Sequence, residues 1–258
     1  MIPPRSVAAV TLAQTVALVP PLAVLATTAT GGFALPLFAA LAFALGWEGL
    51  FALMRKRAPE AHGITTALIV VVLAPADLAL WQLGFAVSLG VILGELVFGG
   101  RGFGFVSPAT AALSLLVISF PQVELAQPTR DLALATVPGL VLLLVLGLIS
   151  WRILVAVLVT VAVAFALRGA AFDPAALGTA LAFGLVFLIC DPVSAATTNA
   201  GRWVYGALAG ALIIVFAGDN PITSEAVVFA ALMSSVFAPL IDHLVVLAHT
   251  YQRQNRHV

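Results

Sequence analysis

Ten apolar runs constrain the fold of this 258-residue chain more than any other feature of its sequence. Many of them approach the roughly 20 residues that a helix needs to cross a bilayer. Hydrophobic residues make up 62% of the chain and charged residues only 9%, whereas soluble domains carry about 25% charged residues. The sequence therefore predicts an all-α integral membrane protein with about ten transmembrane helices. The runs cover residues 6–30, 33–54, 63–74, 81–99, 107–121, 132–149, 151–168, 174–190, 203–217 and 225–249.

Several of these runs are too short to face lipid along a whole bilayer, and residues 63–74 and 107–121 are examples. Residues 63–74 lead into the sequence APAD, and residues 107–121 end at a proline in FPQ. A proline there removes a backbone donor and disfavours continuation of the helix. Broken helices persist at membrane depth only inside the protein or along a cavity. We therefore expect both short helices to lie in the interior.

The lysine and arginine residues predict the orientation of the chain. If the N-terminus is cytoplasmic, only Arg130 and Arg168 among the eleven basic residues fall on the outer side. Such a bias is the positive-inside signal of membrane proteins. Both termini are then predicted to be cytoplasmic, which requires an even number of spans. The inner basic residues are Arg5, Arg55, Lys56, Arg57, Arg101, Arg152, Arg202, Arg253 and Arg256.

The second half of the chain resembles the first. Three identities recur at one offset of 117 residues: Ser107 and Ser224, Ala109 and Ala226, Phe120 and Phe237. A repeat of five spans is odd in number, so the two copies must be inverted relative to each other. The predicted division is a first five-helix repeat over 1–124 and a second over 125–258, within one membrane domain. Inverted repeats place functional sites at broken helices.

A polar stretch, CDPVSAATTNAGRW, interrupts the apolar sequence at 190–203. Asp191 and Pro192 end the eighth helix, and Arg202 opens the next one. The side chains between them can bond freed backbone groups or a ligand, and Arg202 can meet an anion or pair with Asp191. Two interpretations stay open here, a ligand site and a capped loop with a single ion pair. The intervening polar candidates are Ser194, Thr197, Thr198 and Asn199.

A glycine-rich stretch, GGRGFGFVSPAT, lies at 99–110, on the same predicted face of the membrane. Its glycines permit close approach of a ligand to the backbone. Phe103 and Phe105 suit stacking on an aromatic ring, and Arg101 supplies a positive charge. This stretch is therefore a second candidate for ligand binding.

These stretches carry a resemblance to a known family. DPVSAATTNAGRWVYGALAG (191–210) resembles the DPV-(S/T)-A-x-x-T-N-x-G-(R/K) segment of the NqrB/RnfD family, and ELVFGGRGFGFVSPA (95–109) is similar to its FGG-x-G-x-N-x-(F)-NPA segment. FAPLIDH (237–243) resembles the closing PL-(I/F)-D segment, and the similarity runs in order over nearly all of 10–247. Members of this family are the flavin-bearing membrane subunits of the sodium-pumping NADH:quinone reductase and of the Rnf ferredoxin:NAD complex.

The resemblance implies two inverted five-helix repeats with flavins near both membrane faces. The family joins one FMN through a phosphoester to an outer threonine, and Thr136 in RDLALATVPGL (130–140) takes that position here. A second flavin, riboflavin or FMN, is expected at the inner face. The candidate residues around it are Arg101, Gly102, Phe103, Ser107, Asp191, Thr197, Thr198, Asn199 and Arg202.

The resemblance also implies a function. The chain is expected to be a flavin-dependent electron-transfer subunit of an Nqr- or Rnf-like complex in the bacterial inner membrane, with or without coupled ion movement. It contains no G-x-G-x-x-G motif at a strand-to-helix turn, so a reductase or a ferredoxin-type partner would deliver or collect electrons. Two alternatives from other classes are an inverted-repeat solute or ion transporter, and a structural membrane subunit that has lost its flavins.

Acidic residues inside the apolar runs are candidates for an ion path. Glu48, Glu95 and Asp242 fall in the second, fourth and tenth runs, and ionisable groups at membrane depth are costly and usually face the interior. The single Cys190 excludes a disulfide within the chain, and the four histidines show no ligand-like spacing. No metal site is therefore predicted, and the zero net charge gives no indication of nucleic-acid binding.

Overall fold

The protein is a bundle of ten helices in the residues that the structure describes. These residues, in a computed structural model, are 7–28, 32–56, 61–169 and 173–254, with side chains described to residue 251. Arg5, Arg57 and Arg256 lie outside them, as does the side chain of Arg253. The helices are α1 Val7–Thr28, α2 Ala34–Arg55, α3 Gly63–Leu73, α4 Leu80–Val91, α5 Pro108–Ser119, α6 Arg130–Val145, α7 Trp151–Leu167, α8 Pro174–Gly184, α9 Asn199–Ala217 and α10 Ser224–Gln254.

The predicted all-α membrane fold is confirmed, with small differences at helix ends. Four helices, α1, α2, α9 and α10, are long and apolar enough to cross a bilayer. Helix α9 begins four residues earlier than its apolar run, because the hydroxyl of Thr198 accepts a hydrogen bond from the N–H of Gly201 and so caps the helix. Two π-helical segments, Ile92–Leu96 and Leu185–Ile189, continue α4 and α8.

The two short helices lie in the interior, as predicted. Helix α3 has 11 residues, and all but one of them are buried. Helix α5 has 12 residues and is buried over its first seven. Their apolar sequences are therefore covered by protein, which is the environment in which a helix too short to span a bilayer is stable.

The helix connections alternate between two ends of the bundle. We call the inner pole the end that carries the α2–α3, α4–α5, α6–α7 and α8–α9 connections, and the outer pole the opposite end. At the inner pole Trp151 and Trp203 pack with ring centroids 5.7 Å apart. At the outer pole the N–H of Leu125 donates to Glu225 over 2.6 Å, and Arg168 donates to the carbonyl of Gly218. That the inner pole faces the cytoplasm remains a prediction.

Glycines bring several helices into backbone contact. Gly90 and Gly94 of α4 form a G-x-x-x-G pattern, and a Cβ added at Gly90 would lie 2.4 Å from the Cβ of Ala112 in α5. Gly206 and Gly210 repeat the pattern in α9, against α7. Small residues let helices approach closely in a membrane, where burial of apolar surface gives little drive for association. The position of α4 on α5 therefore depends on these glycines.

Candidate functional site

Six polar side chains meet in the apolar interior near the inner pole. Each is at most 7% exposed, although buried charges are costly unless they are paired and hydrogen-bonded. They come from α1, α2, the π segment of α4 and the connections before α3, α5 and α9. We call this set the inner polar cluster: Gln14, Glu48, His62, Glu95, Arg101 and Asp191.

Arg101 lies at the centre of the inner polar cluster. Its Nη2 donates to Oε1 of Gln14 over 2.7 Å and lies 3.9 Å from Oδ1 of Asp191. Its other terminal nitrogen, Nη1, contacts the imidazole of His62. Nε2 of Gln14 donates to Asp191 over 3.4 Å, so the amide bridges the guanidinium and the carboxylate. One arginine thus connects the two stretches that the sequence singles out.

Glu48 holds the start of α3. Its Oε1 accepts from the N–H of His62 over 3.2 Å, and its Oε2 accepts from the N–H of Gly63 over 3.1 Å. Free backbone donors and the positive end of the helix dipole both favour a carboxylate at a helix N-terminus. Glu48, predicted as part of an ion path, therefore also has a structural role in the inner polar cluster.

His62 brings a titratable base beside a second carboxylate. Its Nε2 lies 3.7 Å from Oε2 of Glu95, and its Nδ1 lies 2.8 Å from the hydroxyl of Thr65. Burial, and then the positive charge of Arg101, lower the pKa of His62 well below its usual value. Both effects favour the neutral form of the imidazole.

Asp191 organises the polar stretch that follows α8. Its Oδ2 accepts from the N–H of Val193 over 3.2 Å, and from the N–H and the hydroxyl of Ser194 over 3.1 Å each. Its ion pair is with Arg101, not with Arg202 as one interpretation of the sequence held. Arg202 instead donates to a backbone carbonyl of its own connection over 3.3 Å.

The backbone conformation of three glycines places Arg101 in the interior. Gly99, Gly100 and Gly102 have φ angles of 117°, 114° and 94°, a region that other residues rarely adopt. The loop then returns onto the π segment of α4, where a Cβ at Gly104 would lie 2.4 Å from the carbonyl oxygen of Gly94. The sequence GGRGFG is thus required by the path of the backbone around Arg101.

The predicted inner flavin residues fall into two separate groups. Arg101, Ser107 and Asp191 are buried. They line a small cavity of ≈ 10 Å³, which has room for about one water. An isoalloxazine ring does not fit there. The remaining candidates lie at the surface or are half-buried: Gly102, Phe103, Thr197, Thr198, Asn199 and Arg202.

Asp242 holds two residues of the second group, Thr197 and Thr198, and lies apart from the inner polar cluster. Its Oδ2 accepts from the N–H and hydroxyl of Thr197 over 2.7 and 2.8 Å, and its Oδ1 accepts from those of Thr198 over 3.0 and 2.5 Å. The carboxylate is half-buried at the inner pole. Glu95 and Glu48 therefore belong to one buried site, and Asp242 belongs to another.

An open groove of ≈ 540 Å³ runs beside this fastened connection. Small-molecule sites have volumes of about 300–1,000 Å³, so the groove has room for a flavin ring system. One wall is the start of α9 and the other is the end of α10. It is lined by Thr197, Thr198, Asn199, Ala200, Val245, Val246, His249 and Thr250.

Thr136 is packed inside the bundle. Its side chain is 1% exposed, and its hydroxyl donates to the carbonyl of Leu132 over 2.8 Å. One turn further along α6, a Cβ at Gly139 would lie 2.4 Å from the carbonyl oxygen of Ala17 in α1. A phosphoester at Thr136 does not fit this packing. An open groove of ≈ 580 Å³ does lie at the outer pole, between Gln127 and Asn220.

Sequence reasoning missed two members of the inner polar cluster, Gln14 and His62. Gln14 is a polar residue within the first apolar run, and His62 directly precedes the short buried run. Both positions are costly for a polar group unless a partner is present. That cost was the available signal, whereas histidine spacing was uninformative because the partners come from distant parts of the chain.

Comparisons with known proteins agree with the resemblance. The family described as "NQR2, RnfD, RnfE family" matches residues 3–129 and 127–250. One subunit of the Na(+)-translocating NADH-quinone reductase of Ectopseudomonas mendocina (strain ymp) is 30% identical over 87% of this chain and 70% of its own length. Its namesakes from Pseudomonas aeruginosa (strain LESB58) and Klebsiella pneumoniae (strain 342) are 29% and 28% identical, over 81% and 87% of this chain. The matches cover 66% and 69% of those two relatives.

Proposed function

Because this chain belongs to the NQR2, RnfD, RnfE family, we propose that it is a flavin-dependent electron-transfer subunit of an Nqr- or Rnf-like redox complex in the bacterial inner membrane. The relatives named above are subunits of a Na(+)-translocating NADH-quinone reductase. This chain holds the cofactor within the membrane, and partner redox subunits deliver and collect the electrons. Whether ions move with the electrons is a property of the whole complex.

One observation carries the flavin assignment, the groove beside residues 197–200. These residues belong to the segment with the strongest family resemblance, and Asp242 fixes two of them through four hydrogen bonds. The start of α9 lines the groove, and backbone N–H groups at a helix N-terminus suit the carbonyl oxygens of a flavin. A flavin bound here supplies the electron-transfer chemistry, and the protein supplies binding and orientation.

We assign the flavin to this groove rather than to a covalent link at Thr136. Attachment would require the Thr136 hydroxyl to leave Leu132 and α6 to separate from its neighbours. The outer groove of ≈ 580 Å³ has room for a second flavin held without a covalent bond. Asp173 and Asp219 also line that groove, and their charge disfavours a phosphate there.

Helix packing supports the proposed inverted repeats, 1–124 and 125–258. Four helix pairs of the first half have counterparts in the second: α1–α3 and α6–α8, α2–α4 and α7–α9, α3–α5 and α8–α10, α4–α5 and α9–α10. In addition α1 packs on α6 and α5 packs on α10, as a pseudo-two-fold axis between them requires. The exceptions are α2–α3 and α3–α4, which pack more closely than their counterparts α7–α8 and α8–α9.

Filling the groove is expected to remove the flavin. Ala200 lines the groove, so Ala200→Trp places a large ring where the cofactor binds. We expect at least about a tenfold loss of flavin content, since steric exclusion costs more than about 1.4 kcal/mol of binding. Ala207→Trp is the matched control, because Ala207 is exposed on the same helix outside the groove. Absorbance of extracted flavin, per mole of protein from native membranes, gives the measurement.

The same preparation separates the alternatives. Wild-type protein without flavin would contradict the proposal and favour a transporter or a structural subunit. Equal flavin in the two tryptophan variants would place the cofactor elsewhere. Fluorescence of the denatured band tests the covalent link, and a signal that disappears in Thr136→Ala would reinstate attachment at that residue.

Labelling in intact cells tests the orientation. Gln122 is exposed at the outer pole and Asn199 is exposed at the inner pole, while the native Cys190 is buried. A membrane-impermeant maleimide is expected to react with Gln122→Cys in intact cells, and with Asn199→Cys only after permeabilisation. The opposite pattern would invert the predicted topology.

A further inference from the structure

The inner polar cluster carries more negative than positive charge. Three carboxylates face a single guanidinium, and burial and that guanidinium both lower the pKa of the imidazole. Charges this deeply buried interact strongly because little water screens them. In the described part of the chain, the groups facing His62 are Thr11 of α1, Glu48 of α2, Thr65 of α3, Glu95 of α4, Arg101 before α5 and Asp191 before α9.

The guanidinium is on the most adaptable segment that reaches the cluster. Arg101 lies between glycines with positive φ, Gly100 and Gly102, and is followed by Phe103, which is 71% exposed. Glu48 and Glu95 lie in helical segments, and Asp191 lies in the α8–α9 connection, where its carboxylate accepts from Val193 and Ser194. Glycine-rich backbone absorbs large dihedral changes at small cost. Arg101 is therefore the charge of the inner polar cluster that can withdraw most easily, since its withdrawal breaks neither a helix nor the hydrogen bonds that hold Asp191 within its own connection.

We propose that the inner polar cluster is a proton site gated by Arg101: when the 97–107 loop withdraws the guanidinium, a proton from water at the inner pole binds the His62–Glu95 pair. One N–H or O–H bond forms, and one positive charge replaces another. The cavity beside Arg101, which His62 and Glu95 also line, has room for about one water, so a water molecule can lie against the pair and hand it the proton. A metal ion is disfavoured, because the described residues contain no group of three or more His, Cys, Asp or Glu side chains arranged to hold one.

The proton site operates with or without a bound flavin, so its test is independent of the proposed function. Arg101→Gln removes the guanidinium and leaves the carboxylates uncompensated, which raises the proton affinity of the His62–Glu95 pair in the folded state. A group whose pKa is higher in the folded state stabilises the fold at low pH, and this stabilisation is lost as pH rises through the folded pKa. The unfolding midpoint of Arg101→Gln should therefore rise by about 4 °C between pH 8 and pH 5.5.

Three controls make this shift specific. Arg101→Lys keeps the positive charge, so neither it nor the wild type should show the rise. The double variant Arg101→Gln/His62→Gln should lose it. Replacing sodium chloride with choline chloride should change nothing. A midpoint of Arg101→Gln that is independent of pH, or one raised by sodium instead, overturns the proposal.

The gate can also be tested with Arg101 in place, should Arg101→Gln fail to fold. Spin labels at Phe103→Cys and Trp151→Cys, both exposed in the native chain, report the distance between the loop and α7. Since the proton and the guanidinium compete, acid should lengthen this distance. The lengthening should be absent in His62→Gln. An unchanged distance between pH 8 and pH 5.5 overturns the gate.

Discussion

An Asp191→Ala variant is expected to lose about 3 kcal/mol of stability, because it removes the buried carboxylate that accepts four hydrogen bonds and pairs with Arg101. The carboxylate is 6% exposed. It accepts from Gln14, Val193 and Ser194 and lies 3.9 Å from Arg101. Removing it leaves buried donors without an acceptor, and each such donor costs about 1–3 kcal/mol.

Asp242→Ala is the matched control for this variant. Asp242 accepts as many hydrogen bonds as Asp191, but it is half-buried, so water can replace the lost acceptor. We expect a loss of about 1 kcal/mol there. Thermal unfolding in detergent should show a midpoint about 8 °C lower for Asp191→Ala and about 3 °C lower for Asp242→Ala. Equal shifts would show that the inner polar cluster contributes no more than a surface cap.

The helices could be predicted from the sequence because each is encoded locally. Apolar composition marks the runs, and prolines and charged residues end them. The short runs at 63–74 and 107–121 carry their own evidence of burial, since a helix of that length is stable at membrane depth only inside protein. The start of α9 is predicted too late, because Thr198 caps the helix before the apolar run begins. Apolar composition does not mark such a cap.

The inner polar cluster could not be predicted in the same way, because its contacts join distant parts of the chain. Arg101 and Gln14 are 87 residues apart, and Gln14 and Asp191 are 177 apart. No spacing rule applies over such separations. Arg202 is the basic residue nearest to Asp191 in sequence, but it is not the partner of Asp191. The pairing with Arg101 arises only when α1 packs against the inner connections.

The family resemblance identified the two polar stretches but not how they divide. Asp191 turns into the interior, while Thr197 and Asn199, a few residues later, remain at the surface. The same division separates Arg101 from Phe103. Alternation between buried and exposed residues within one connection depends on backbone dihedral angles, which the motif does not specify. The sequence predicted that both stretches surround one flavin. In the structure they instead contribute to two places, a buried charged site and an open groove.

Gly90→Leu is expected to break the packing of α4 on α5. A Cβ at Gly90 would lie 2.4 Å from the Cβ, 2.6 Å from the Cα and 2.7 Å from the N of Ala112. The neighbouring backbone itself would have to move, so the cost should exceed the usual cost of overpacking, about 1–3 kcal/mol. The displaced α4 also carries Glu95 and the loop with Arg101, so the inner polar cluster should come apart with it.

Gly46→Leu in α2 makes the same chemical change without the contact. Nothing lies within 4 Å of a Cβ at Gly46, and leucine favours a helix over glycine by about 0.8 kcal/mol. We expect Gly46→Leu to elute from a size-exclusion column in detergent as the wild type does, with an unchanged or slightly higher unfolding midpoint. Gly90→Leu should yield aggregate or a midpoint lower by about 10 °C. If the two variants are equally stable, α4 and α5 are not held at the distance that the glycines of α4 require, and Glu95 and Arg101 have no fixed position from which to meet His62.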